Sequence, residues 1–162
     1  MLLYPIGDSG QAIIFTAEVL EHFKKHQQCL PQQKEAGGQL FAKFDEKQIQ
    51  IIKATGPRKK DSRGRTFYQP NRKLEQIEIN SQYQLGLHYV GDWHTHPTLY
   101  PTPSSVDIKN INESVQQSSH QLNAFILVII GTEIPPEGLY VSIADGIENV
   151  KLEVSKESQD NF

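Results

Sequence analysis

The chain has 162 residues, 37% of them hydrophobic, with 16 Lys and Arg against 19 Asp and Glu for a formal net charge of −3. That length supports one domain with a real core, and no compositional bias points to disorder or a fibre. A single cysteine, Cys29, excludes an intramolecular disulfide framework and suits a reducing cytosol, so the cytoplasm is the expected location.

The start, Met1-Leu2-Leu3-Tyr4-Pro5, has neither the basic region nor the long apolar run of a signal peptide. The longest apolar run, 124–130, is too short to span a bilayer, and no membrane partner is expected. Residues 11–15 (Gln-Ala-Ile-Ile-Phe) read as the first strand. Thr16 is placed to cap a helix to about Gln27, with Val19, Leu20 and Phe23 on its buried face. His22 and His26 stand at i, i+4 on that helix, a spacing that can hold a metal. The residues between them are Phe-Lys-Lys, with no glutamate after His22, so the pair reads as a solvated helix face.

Lys34-Glu35-Ala36-Gly37-Gly38-Gln39-Leu40-Phe41 comes next. The glycine pair opens a strand over 39–44, which Asp45-Glu46-Lys47 turns into a partner strand over 48–54. Two glycines just inside a strand mark a place where something approaches the backbone closely. Glu35 puts a carboxylate beside that approach, although on composition alone it reads as a surface glutamate before a turn.

Residues 56–73 are the most irregular segment. Arg58, Lys59, Lys60, Arg63, Arg65, Arg72 and Lys73 face a single acid there, Asp61, while the remainder of the chain sets nine basic residues against eighteen acidic ones. Such a loop fits either an acidic partner surface or a solvated, solubilising segment, and the two readings stand level. Nucleic acid is not an expected partner: only Phe67 and Tyr68 are present to stack bases, and no nucleic-acid motif follows.

A helix over 71–83 leads into an apolar strand that ends Trp93-His94-Thr95-His96-Pro97. On a strand the side-chain period is two, so His94 and His96 share a face. Pro101 and Pro103 stop the strand. Ser104 is a good N-cap, and Val106, Ile108, Ile111 and Val115 follow at near-helical spacing, placing Asp107 in the first turn of a helix. The run 123–130 fits a central strand buried on both faces. Segments 138–144 and 147–154 alternate around Asp145-Gly146, a two-residue hairpin signal. Residues 155–162 read as a loose polar tail, leaving a single domain over 1–154. The element order indicates an α+β domain with a mixed sheet packed between helices.

Each half of the histidine segment has an ordinary reading alone: His-x-His as two partly exposed strand residues, and Ser104-x-x-Asp107 as a capping pair. Together, two imidazoles and a carboxylate with a fourth position left for water make the ligand set of a catalytic zinc site.

His94-x-His96-Pro97, seven residues from 97 to 103, then Ser104-x-x-Asp107 resembles the JAMM motif of MPN-domain metalloproteases. Glu35-Ala36-Gly37-Gly38-x-Leu40 is similar to the glutamate-plus-glycines element of the same family. The similarity follows the element order over nearly the whole domain, with no departure at any motif position. Single-domain length, the Trp93 to Pro97 segment and the Pro-Thr-Pro-Ser-Ser-x-Asp ending at Asp107 look most like the prokaryotic members. The resemblance implies one zinc per chain on His94, His96 and Asp107, with Glu35 exchanging protons with the attacking water and the leaving amine, and Ser104 donating to the developing oxyanion. It also implies that a ubiquitin-like protein or its conjugate is the substrate, cleaved after its C-terminal tail. Some prokaryotic members accompany antiphage operons built around a cGAS-like nucleotidyltransferase, which suggests that target. An extended tail is expected to add as a strand near Gly37 and Gly38 or the 56–70 loop, with Arg58, Lys59, Lys60, Arg63 and Arg65 as a clamp for an acidic partner. Two other readings stay open: processing of a sulfur-carrier protein, and a non-catalytic MPN scaffold.

Overall fold

In the computed structural model, residues 1–118 and 122–159 are described. They form β1 (Leu2–Pro5), β2 (Ala12–Phe15), α1 (Ala17–His26), β3 (Gly37–Phe44), β4 (Gln48–Ala54), β5 (Ser62–Arg63) and β6 (Tyr68–Gln69). There follow α2 (Arg72–Gln84), β7 (His88–Thr95), α3 (Ser105–Gln117), β8 (Phe125–Ile130), β9 (Leu139–Ala144), β10 (Asn149–Lys151) and α4 (Lys156–Gln159). One eight-stranded sheet runs β1-β2-β4-β3-β7-β8-β9-β10, and β5 and β6 pair separately. The β2–β4 and β7–β8 pairs are parallel and the others antiparallel, giving the mixed sheet of an α+β domain.

The apolar run of β8 explains how the layers stack. Ile126, Val128 and Ile130 join a core with Val19, Leu20 and Phe23 of α1. Phe125, Leu127 and Ile129 join a second core with Ile111 of α3 on the opposite face. A central strand covered on both sides must be apolar at every position, and this one is buried throughout. Among its buried residues α2 counts Glu75 and Gln82, so this helix lies on the sheet through polar groups.

Several expectations are corrected. The first strand is β1, not 11–15, with Leu2 and Tyr4 buried; it lies at the sheet edge, where a terminal proline is tolerated. Thr16 occupies the N-cap position of α1 but its side chain makes no cap hydrogen bond. His22 and His26 are not on a solvated face. Both rings pack on Trp93, at 5.2 and 5.6 Å, and His22 Nε2 donates to the carbonyl of Gly56 at 3.0 Å. Burial, then the charge of His26, holds the His22 pKa below its ordinary value. The last hairpin closes through four residues, since Ala144 pairs with Asn149; the Asp145 carboxylate accepts from the N–H groups of Ile147 and Glu148 and so shapes a longer turn. Part of the expected tail is docked. Ser155 N–H donates to Leu3 O at 2.8 Å and Leu3 N–H donates to Ser158 Oγ at 3.1 Å, while 160–162 lie outside the described residues.

Candidate metal centre

A β-bulge decides which face of β7 carries the histidines. Leu40 pairs with Gly91 and Phe41 with Tyr89, leaving Val90 as an extra residue. Gly91 has φ 153°, and a Cβ there would stand 1.9 Å from the carbonyl oxygen of Ile126, so only glycine fits. Val90 and Trp93, three residues apart, consequently share one core, which regular alternation forbids. Asp92 and His94 take the other face. His96 lies just past the strand and is held by its N–H donating to Ile130 O at 2.9 Å.

Asp107 arrives from the first turn of α3. The Ser104 Oγ accepts from the Asp107 N–H at 3.1 Å, and the Ser104 N–H donates to Asp107 Oδ2 at 2.8 Å, a complete capping box. The same carboxylate places Oδ1 3.2 Å from His94 Nε2 and Oδ2 3.3 Å from His96 Nε2. The two Nε2 atoms are 3.1 Å apart. Two imidazole nitrogens and a carboxylate converging at these separations fit a small divalent ion, whose tetrahedral ligands at roughly 2.0–2.1 Å lie about 3.3 Å from one another.

Glu35 is only 5% exposed, not the surface glutamate that composition suggested. Its N–H donates to Gly64 O at 2.7 Å, and its carbonyl accepts from Arg63 Nε at 2.7 Å. The next residue, Ala36, exchanges two hydrogen bonds with Thr95: Thr95 N–H to Ala36 O at 2.8 Å, and Ala36 N–H to Thr95 Oγ1 at 2.9 Å. Main chain on both sides thus sets Glu35 beside the imidazoles, with a ligand atom of Glu35, His94 and His96 all within 4.8 Å of one another.

The two carboxylates have different environments. Burial pushes Glu35 above the usual carboxylate range, although the neighbouring histidines pull it down. Burial also opposes ionisation of Asp107, yet hydrogen bonds from His94 and His96 outweigh it and hold that carboxyl well below the usual range. For His96, burial works against the charged form, but the hydrogen bond and charge of Asp107 raise its pKa overall. A carboxylate held ionised suits a ligand, and one poised to take a proton suits a base.

The remaining expected binding residues are placed otherwise. Gly37 pairs with His94, and a Cβ on it would meet the Tyr68 ring at 2.6 Å; on Gly38 it would meet Thr55 O at 1.6 Å. What approaches the glycines is the chain itself, and β3 is already flanked by β4 and β7. A strand added at the glycines would find both sides of β3 taken, which leaves the 56–70 loop as the other expected place for it. In the basic loop, Arg58 is turned inward to Glu78 at 2.6 Å and to Gln39 Oε1 at 3.0 Å. Asp61 organises the loop by accepting from Arg58 N–H, Tyr68 O–H and Asn71 N–H. Arg63 serves the Glu35 carbonyl, and Arg65 reaches Pro31 O at 2.6 Å. Only Lys59 and Lys60 of the five named clamp residues stay exposed without such a role. A cleft of about 1280 Å³ between α2 and α3 includes Arg72, Glu75, Tyr89 and Asn110 in its lining but none of Glu35, His94, His96, Ser104 or Asp107.

Sequence reading missed Gln28 and Thr95, both buried and polar. Thr95 carries a signal, a hydroxyl on the core-facing side between two candidate ligands. Gln28, in a loop after α1, carries none.

The family described as prokaryotic homologs of the JAB domain matches residues 16–142. A protein of Enterobacter hormaechei named CD-NTase/cGAS isopeptidase is 30% identical over 108 residues, 65% of this chain and 59% of that protein. One of the same name from Pseudomonas aeruginosa is 26% identical over 149 residues, 90% of this chain and 91% of its own length. The solution structure of a Desulfitobacterium hafniense protein superposes with a TM-score of 0.62 at 17% identity, covering 86% of this chain and 88% of that one, and shows the fold alone.

Proposed function

The chain belongs to the family of prokaryotic homologs of the JAB domain, and from that membership we propose that it is a zinc-dependent isopeptidase. Its substrate is the amide bond joining the C-terminal tail of a ubiquitin-like modifier to a protein. Relatives named as CD-NTase/cGAS isopeptidases make a nucleotidyltransferase of that class the first target to try. The observation that carries the reading is the convergence of His94, His96 and Asp107 within 3.1–3.3 Å beside the buried Glu35.

His94, His96 and Asp107 would hold the ion. Zinc supplies Lewis acidity toward the scissile carbonyl and toward water. The Glu35 carboxylate takes a proton from the water that adds to the carbonyl carbon. It returns that proton to the nitrogen as the C–N bond breaks, so the products are a free carboxylate and an amine. The raised pKa of Glu35 suits this exchange, because the carboxylate is a stronger base than an exposed one. Ser104 accepts the Asp107 N–H through Oγ and keeps its own proton, which it donates to the carbonyl oxygen as negative charge develops. Lys59 and Lys60 offer two exposed cations for an acidic modifier or target.

The test is to incubate the purified chain with a CD-NTase-type enzyme conjugated to its modifier, with and without a chelator, and read intact masses. Release of unmodified target and free modifier, stopped by chelation and restored by zinc, is expected. A conjugate that survives stoichiometric zinc-loaded protein overturns the reading and favours a scaffold.

A further inference from the structure

We propose that Gln28 is a positioning residue for Glu35, acting through Thr95; the inference rests on the isopeptidase reading above. Gln28 is 3% exposed and Thr95 fully buried. The Thr95 hydroxyl accepts the Ala36 N–H at 2.9 Å and donates its proton to Gln28 Oε1 at 2.7 Å. The amide of Gln28 donates to Arg65 O at 2.9 Å and to Gln33 O at 3.3 Å. One side chain thus joins the strand that carries His94 and leads into His96 to the segment leading into Glu35 and to the loop whose Gly64 carbonyl holds the Glu35 N–H.

The chemistry calls for this residue type. The buried Thr95 proton needs an acceptor while the amide group that supplies it also donates to the carbonyls of Gln33 and Arg65, and a primary amide offers both functions. With Gln28 in place the Thr95 hydroxyl has one orientation, lone pair toward Ala36. Without it, the hydroxyl is free to rotate and the tie between residue 36 and the histidine strand loosens. Neither side chain touches the reacting atoms. Their effect falls on the distance between the Glu35 carboxylate and the imidazoles, and a displacement of about 1 Å in such a geometry costs up to about 10²-fold in rate.

Gln28→Leu, isosteric Thr95→Val, their double variant and Thr95→Ser test this, with zinc content, kcat, KM and amide exchange at Ala36 and at Val128 of β8 measured on each. Gln28→Leu and Thr95→Val should bind zinc normally, keep KM within about twofold and lose about 10- to 10²-fold in kcat. Thr95→Ser, which retains the hydroxyl, should restore most of the turnover. The double variant should lose no more than the worse single one, as for residues acting in one unit. Ala36 exchange should quicken while Val128 stays protected. Losses that add, a serine variant as slow as the valine one, or Val128 exchange rising in step would each overturn the proposal. If Gln28→Leu does not fold, Thr95→Val against Thr95→Ser carries the test. If the wild type cleaves no conjugate, the isopeptidase reading fails by itself, and Ala36 exchange still decides: quickened locally it supports the tie, unchanged it removes it.

Discussion

Ser104 and Asp107 cap each other across the first turn of α3, and the carboxylate that closes the cap also reaches His94 and His96 at 3.2 and 3.3 Å. A helix cap and a candidate ligand are one group, so the helix start is fixed relative to the histidine strand. The two roles separate by chemistry: an amide can accept the Ser104 N–H but is a poor ligand for zinc.

Asp107→Asn should therefore keep its fold, with the thermal midpoint within a few degrees of wild type, and lose most of its zinc. Wild type should carry close to one zinc per chain, and His94→Ala or His96→Ala should strip it, because three protein ligands leave no redundancy. Elemental analysis after dialysis reads this directly. Full zinc occupancy in a variant lacking both histidines would sink the site.

Glu35→Gln should retain zinc and lose about 10²–10⁴-fold in turnover, since the amide cannot take the proton from water. A variant within a few-fold of wild type removes Glu35 from the mechanism. Ser104→Ala should cost about 10²-fold in turnover. It should also cost about 1 kcal/mol of stability, through loss of the cap.

Burial, then the charge of Glu75, pushes Asp92 up to about 7, although Tyr89 O–H donates to its carboxylate at 2.8 Å. The folded state holds this proton more tightly than the unfolded chain, whose carboxyl sits near 3.8. The contribution to stability is complete below that value, fades as pH rises through about 7 and is level above it. Asp92→Asn removes the dependence. Its advantage over wild type in urea midpoint should grow from pH 4 to pH 7 and then stay constant; an equal difference at pH 5 and pH 8 would contradict the assignment.

The basic loop should split into two classes. Arg58→Ala leaves Glu78 without its cation, with only the Thr55 hydroxyl donating to it, and removes the donor to Gln39; it should destabilise by roughly 3 kcal/mol, as when a largely buried ion pair is broken. Lys59→Gln with Lys60→Gln should leave zinc content and stability unchanged. If these lysines steer an acidic partner, kcat/KM falls in the double variant and depends less on salt than in wild type. Equal salt dependence in both proteins returns them to the solvated reading.

Spacing and periodicity act within a few residues, and much of what depends on them was legible in the sequence, the turn at Asp145 and the missing Thr16 cap bond excepted. His94 on β7 with His96 two positions on, just past its end, Ser104 and Asp107 three apart at a helix start, and the unbroken apolar run of β8 belong to this class. So does the α+β order of elements. Tertiary structure alone decided what each local feature meets. The close approach to Gly37 and Gly38 is made by Thr55 and Tyr68, and Arg58 and Arg63 turn inward because Glu78 and the Glu35 carbonyl offer them acceptors, while Arg65 reaches Pro31 O at the surface. Glu35 is buried because Gly64 and Arg63 hold its main chain against the strand of the histidines. The face those histidines occupy depends on Val90 bulging at Gly91, where the Ile126 carbonyl of the next strand leaves no room for a Cβ. Contacts of that kind join residues tens of positions apart, and no pattern along the chain encodes the distance between them.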